Sequence, residues 1–438
     1  MSVEDALAEI FAAISGPLPA EHLSPVDALG RVLAEPVIAS TSLPPWDNSA
    51  MDGYALRSAD TTAATVIRPV TLRVIGEARA GVATDITVEP GTAVRIATGA
   101  PLPPGADAVI PVEQTAAVDE RREALGSPGR DATGPLPAGC QIGEPVSAGG
   151  AVRSAGSDVR AGATVLAART ELSPPGVALA SGVGASEVAV YRQPRIAVLA
   201  TGDEIRDAGE PLGPAGIPDA NRPGLIASVT AAGGIAVDVG LARDELADMV
   251  GRLRRALDEG VDAIIVSGGV SVGPYDVVKT AFDQIGRIEL WRVAVQPGKP
   301  FAFGVAPRTD GVPVLLFGLP GNPVSSLVTF ELFVRPALRR LAGHPVDRLY
   351  RPRDRAVLGE RVSKSHGRRA FLRVRAERDE RGVAARDGSG RVRVRLAGGQ
   401  GSHVLSAIAA ADGLAIVPEA DDELPAGAEV ELWWLDPG

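Results

Sequence analysis

Cysteine, histidine, aromatic residues and long apolar runs are all scarce in this chain. The single cysteine, Cys140, excludes an intrachain disulfide and a zinc cluster built on cysteines. Its setting, G-P-L-P-A-G-C-Q, predicts a stray loop thiol rather than a nucleophile. The four histidines, His22, His344, His366 and His403, show no metal-ligand spacing. No apolar run approaches the roughly 18 residues of a membrane span. The opening M-S-V-E-D-A-L-A-E-I-F is acidic where a signal peptide is basic. Basic excess is missing too: the net charge of −10 argues against general nucleic-acid binding. Together these predict a soluble cytoplasmic protein with no nucleic-acid and no membrane partner.

With 438 residues, 45% of them apolar, the chain is too long for one core and predicts two to four domains. Val3, Leu7, Ile10, Phe11 and Ile14 fall at helical spacing. From Leu43 to about Val118, short apolar runs (T-L-R-V-I-G-E, I-T-V-E-P-G, A-V-R-I-A-T-G, A-D-A-V-I-P-V) between Gly and Pro predict a β-rich region. Asp119–Cys140, charged and then Gly/Pro-rich, reads as a flexible surface excursion. Arg195–Gly343 alternates apolar runs with helical patterns, which predicts a mostly parallel sheet covered by helices on both faces. Beyond His344, F-L-R-V-R-A and R-V-R-V-R-L alternate with period two, giving a small β domain with its arginines on a solvated face.

Ligands of open parallel sheets bind beyond the carboxyl ends of the strands. Three polar loops hold such positions: Thr201-Gly202-Asp203-Glu204, Ser267-Gly268-Gly269, and Gly318-Leu319-Pro320-Gly321-Asn322-Pro323. Any one of them could be a plain strand–helix turn; three together favour a site. Asn322 suits a helix N-cap and Pro323 the first helical position, so the amides that follow should face an anion. Glu204, Asp244 and Asp276 crowd the same edge and suggest Mg²⁺ bridging phosphate oxygens, although salt bridges or caps would also account for them. Arg292 and Lys299 add positive charge.

Two enzyme classes fit poorly. G-V-S-V-G, from Gly269 to Gly273, formally matches a serine nucleophile elbow, but Pro274 and Tyr275 follow at once and no helix starts at Ser271. The G-V-G-A-S-E at Gly182 does not complete a dinucleotide-binding fingerprint.

Six motifs then carry a resemblance. P-P-W-D-N-S-A-M-D-G-Y-A (44–55), R-I-A-T-G-A-P-L-P (95–103), T-G-D-E (201–204), S-G-G-V-S-V-G-P-Y-D (267–276), Q-P-G-K-P-F-A-F-G (296–304) and L-P-G-N-P-V-S-S (319–326) occur in this order. With them the chain resembles the molybdopterin molybdenumtransferases, relatives of the E domain of gephyrin. The resemblance implies a multidomain α/β plus β fold. A central α/β domain would span 1–24 and 193–343, a split linking domain 25–43 and 142–192, an inserted β-rich domain 44–141, and a β-barrel-like domain 344–438.

The resemblance further implies a homodimer whose active site lies between the central domain of one subunit and the inserted domain of the other. The reaction implied takes adenylylated molybdopterin and molybdate and releases AMP, with Mg²⁺ as cofactor. Catalytic positions carried across are Asp52, Thr98, Glu204, Asp244 and Asp276, with Glu204, Asp244 and Asp276 as metal ligands. Substrate-binding positions are Asp158, Ser267, Gly268, Gly269, Ser271, Arg292, Lys299, Pro320, Gly321, Asn322 and Pro323. Three departures stand out. Arg292 and Gln296 occupy positions where many relatives carry lysine, and Ser157 replaces an acid before Asp158. A non-catalytic pterin-binding or scaffolding paralogue is the alternative reading.

Overall fold

Residues 195–319 place five of their apolar runs in a six-stranded sheet, whose sixth strand is the less apolar Arg287–Arg292. Its order is Ile235–Ala242, Arg195–Thr201, Ala263–Ser267, Val314–Leu319, Pro300–Ala306, Arg287–Arg292. A computed structural model describes residues 1–125, 134–269, 277–308 and 311–435. The first four strands are mutually parallel, Pro300–Ala306 runs against them, and Arg287–Arg292 pairs antiparallel with Pro300–Ala306. The reason for the reversal is connection length: 293–299 and 307–313 are shorter than the roughly dozen residues a parallel crossover needs.

Alternate residues of Arg195–Thr201 serve opposite faces. Ile196 and Val198 join one core and Ala197 and Leu199 the other, as strand period two requires. The opening helix Val3–Ala12 covers the first face with Val3, Ala6 and Ile10, and the Ser2 hydroxyl caps it by accepting from the Asp5 amide at 3.0 Å. Leu246–Asp258 covers the second with Met249, Val250, Leu253 and Ala256.

The helix after Leu319 runs Pro323–Thr329, widens into a π turn over Phe330–Val334 and resumes as Arg335–Leu341. Pro336 is the local cause, because it has no N–H and its ring crowds the carbonyl four residues back.

A second six-stranded sheet is ordered Ala108–Pro111, Gly53–Leu56, Thr92–Ile96, Val70–Ala78, Gly139–Ile142, Thr115–Val118. Three expectations change here. Cys140 is not a loop thiol: it is fully buried in the strand Gly139–Ile142, and burial pushes its thiol up to about 12. Thr115–Val118 and Gly139–Ile142 pair with each other, so the expected excursion ends in a ladder; 126–133 lie outside the described residues. I-T-V-E-P-G forms no strand, since the Val88 amide donates to the Pro104 carbonyl and the Glu89 amide to Thr92 Oγ1. Short antiparallel pairs join this sheet to the rest, among them Ala20–Leu23 with Val188–Tyr191 and Val37–Ile38 with Thr164–Leu166.

Five strands of the tail close into a barrel: Arg369–Ala376, Val392–Leu396, Arg353–Leu358, Glu429–Trp434 and Gly413–Val417, with the last pairing the first. Val295–Gln296 adds to Arg369–Ala370 as a further parallel strand. Phe371, Leu414, Ile416 and Trp433 share one core with Phe301 and Phe333. The arginine face is not wholly solvated: Arg373 is 1% exposed.

Candidate functional site

Register brings the three loops together. Ala200 pairs with Ser267 and Ser267 with Leu319, so neighbouring parallel strands end at one level. Close approach then demands glycine. A Cβ on Gly268, at φ +98°, would stand 2.5 Å from the Thr201 carbonyl oxygen. Ser267 is 1% exposed; its hydroxyl lies 3.0 Å from Ser326 Oγ and accepts from Asn221 Nδ2 at 2.8 Å. Asn221 Nδ2 also donates to the Gly321 carbonyl at 2.7 Å, while its buried Oδ1 accepts no hydrogen bond among the described residues. Pro320 is buried, and Gly321, whose Cβ would meet Gly268 at 3.7 Å, is exposed beside it.

Carboxylates line the neighbouring strand end. Thr201 Oγ1 donates to Asp244 Oδ1 at 2.7 Å, and the Asp244 amide reaches Asp203 Oδ1 at 3.3 Å. Glu204 folds back over Gly202, with Oε2 2.8 Å from the position of a Cβ there. Ser271 and Asp276 lie outside the described residues, as does the elbow-like stretch. Among the described residues, no group of three or more His, Cys, Asp or Glu side chains is arranged to hold a metal ion.

Lys299 and Arg292 reach the same edge through the antiparallel strands, because Arg292 pairs with Pro300 and Ala302 with Gly318. Both are exposed. Gln296 serves another purpose: its Oε1 accepts the Ser365 amide at 3.0 Å, tying this loop to the barrel.

The helix start differs from expectation. Asn322 holds the N-cap position and Pro323 the first turn, but the Asn322 side chain makes no capping bond. The Val324 amide is occupied by the Ser402 carbonyl at 3.1 Å. Behind that loop, Arg373 donates to the carbonyls of Phe371, Gly399 and Gly401 at 3.3–3.4 Å. With no carboxylate partner, burial lowers its guanidinium to about 10.

A second cluster forms in the other sheet. Asp52 precedes Gly53 and Thr98 follows Ile96, and these strands pair Gly53 with Ile96. Asp52 Oδ1 accepts from the Thr98 amide at 2.7 Å and from Thr98 Oγ1 at 2.8 Å, and these two donors hold its carboxyl below the usual carboxylate range. Gly53 is obligatory, since its Cβ would fall 2.0 Å from the Ile110 carbonyl oxygen. Ser49 binds the two motifs together by accepting the Gly99 amide at 2.8 Å. Asp158 is exposed, and its amide donates to the Leu43 carbonyl at 3.0 Å.

Sequence reasoning passed over Asp203, Asn221, Ser326, Arg373 and Ser402 as site residues. Asp203 was within a quoted loop. Asn221 carried a signal as well, a polar residue opening an apolar helix pattern. Arg373 carried none, because the other arginines of that alternation, Arg375, Arg393 and Arg395, are solvated.

Comparison with known proteins agrees with this arrangement. Residues 1–184 match the MoeA N-terminal region (domain I and II), 197–340 a probable molybdopterin binding domain, and 355–435 the MoeA C-terminal region (domain IV). The chain is 39% identical to molybdopterin molybdenumtransferase 2 of Mycobacterium tuberculosis, covering 93% of each chain. It is 32% identical to molybdopterin molybdenumtransferase of Haemophilus influenzae, over 99% of this chain and 98% of the relative. The crystal structure of a molybdopterin biosynthesis MoeA protein from Pyrococcus horikoshii superposes with a TM-score of 0.78 at 30% identity, covering 99% and 98%. With matching motifs, matching architecture and relatives aligned end to end, the chain belongs to the molybdopterin molybdenumtransferase family.

Proposed function

We propose that this protein inserts molybdenum from molybdate into adenylylated molybdopterin, giving molybdenum cofactor and releasing AMP. The observation that carries the proposal is the convergence of Thr201–Glu204, Ser267–Gly269 and Gly318–Pro323 at one sheet edge. The glycines there let a ligand approach the backbone closely, which suits the phosphates, although the Gly268 amide itself donates to the Leu319 carbonyl at 3.1 Å; Lys299 and Arg292 supply charge. The unpaired buried Oδ1 of Asn221 suits a donor such as a pterin N–H.

Mg²⁺ fits the donor set if one or two carboxylates hold it and phosphate oxygens and water complete the shell. Glu204 and Asp244 would hold it, with Asp276. When bound, it neutralises charge on the anhydride that is split. The protein's own residues do the rest: Thr201 fixes the Asp244 carboxylate, Ser267 and Asn221 fix the Gly321 loop, and Asp52 with Thr98 offers a charged carboxylate from the inserted sheet. In a homodimer that carboxylate would complete the partner's site.

The test is AMP release coupled to molybdenum incorporation by the purified protein, with an EDTA control. Metal-dependent release in step with incorporation supports the reading, and tight binding without turnover refutes it. Glu204→Ala should bring turnover to background while the far-ultraviolet circular dichroism stays unchanged; retained turnover would remove Glu204 from the metal site.

A further inference from the structure

The helix that starts at the ligand loop ends in a group of arginines. At about 1.5 Å per residue, Arg335 stands roughly 18 Å along the axis from Pro323. It is 7% exposed, and its Nε and Nη1 are buried without a hydrogen bond. Its nearest carboxylate, Glu331 Oε2, is 3.8 Å from Nε. Glu331 is already engaged, accepting from Arg351 Nε and Nη2 at 2.8 Å each.

One turn further on, on the same helix face, Arg339 Nε donates to the Arg348 carbonyl at 2.6 Å. Arg339 Nη2 lies 3.3 Å from Glu171 Oε2 and 3.1 Å from His344 Nδ1. Burial first, and then the charges of Arg339, Arg335 and Arg348, drive His344 down to about 3, so it is a neutral acceptor here. The charges acting on Arg335 are Glu331 and Glu171 against Arg351 and Arg339. Three buried or half-buried arginines therefore share two carboxylates, an imbalance that low-dielectric surroundings make costly. Beside them opens a recess of about 150 Å³ lined by Arg31, Glu171, Gln193, Arg339 and His344.

We propose that this recess, walled by Arg31 and Arg339 and close to the uncompensated charge of the buried Arg335, binds a phosphate-sized inorganic oxyanion, at a site separate from the ligand loops. Several oxygens let one anion meet the Arg31 and Arg339 guanidiniums together, where a single-atom ion does not. The bound charge supplies the missing counter-ion. Arg31, which also donates to the Tyr191 carbonyl at 2.8 Å, links the anion to the strands Ala20–Leu23 and Val188–Tyr191.

Inorganic phosphate is the probe, titrated against the full chain by calorimetry and thermal shift at constant ionic strength set with chloride. The expected result is saturable binding that sulfate reproduces, that weakens at least tenfold in Arg335→Met, and that persists in Lys299→Ala. Arg31→Gln, at the recess wall and outside the buried group, should weaken it several-fold and decides the matter if Arg335→Met does not fold. Three outcomes overturn the proposal: no saturable effect beyond chloride, an effect lost in Lys299→Ala alone, or one undiminished in both arginine variants.

Discussion

At the scale of single residues, the Asp52–Thr98 pair shows how two distant motifs become one chemical group. Its carboxylate is held charged by one amide and one hydroxyl. Thr98→Val removes the hydroxyl donor, so the Asp52 pKa should rise while the fold stays. A carboxyl NMR titration of the folded variant reads this directly, and an unmoved titration would deny the hydroxyl its part. Gly268 makes a second case. Ala at φ +98° would cost about 1–3 kcal/mol in backbone strain, and its Cβ would also press on the Thr201 carbonyl. Gly268→Ala should lower the urea midpoint and weaken ligand binding together. Both residues stood out in the sequence because they lie in motifs. Cys140 was misread because its local neighbours, Gly and Pro, describe the chain before the strand and say nothing of the partners Leu72 and Ala117 that bury it.

At the scale of elements, the parallel strands of the central sheet were legible from periodicity, and the antiparallel pair was not, because apolar alternation does not encode direction. Direction came from connection length. Asp262, at the start of Ala263–Ser267, shows what fixes the opposite end of these strands. It is 3% exposed and accepts from Arg192 Nη1 and Nη2 at 2.7 and 2.6 Å, from the Arg195 amide at 2.9 Å and from Arg308 Nη1 at 3.2 Å. Removing such a carboxylate takes the shared acceptor from Arg192 and Arg308, so Asp262→Ala should cost about 3 kcal/mol, the low end for buried pairs since Arg192 is partly exposed. Denaturant unfolding measures it, and an unchanged midpoint would make the cluster incidental. The apolar pattern from Pro323 onward predicts one long helix. Its π turn depends on Pro336, a residue the apolar pattern passes straight through.

At the scale of the whole molecule, stability should carry the signature of His344. Its folded pKa of about 3 lies below the ordinary 6.5, so the unfolded chain takes up the proton first as pH falls. The contribution is complete above pH 6.5 and is lost progressively towards pH 3, by at most about 1.4 kcal/mol per unit. His344→Gln should flatten the melting-temperature profile between pH 6.5 and 4.5, and parallel profiles would show that the proton is taken up elsewhere. The central sheet was legible from its apolar runs, and the barrel from the period-two alternation of the tail with the resemblance carried by motifs ending at Ser326; the shared core was not, since no local pattern says that Phe371 and Trp433 pack with Phe301 and Phe333. The short strand Val295–Gln296 belongs to the barrel's ladder and yet leads directly into Gly298 and Lys299. The tail is thus a splint for the loop that carries Lys299. A chain ending at Gly343 would keep every loop of the sheet edge but lose this tie and the Ser402 carbonyl that holds the Val324 amide, so truncation of a region without a candidate catalytic group should read out as weakened anion affinity.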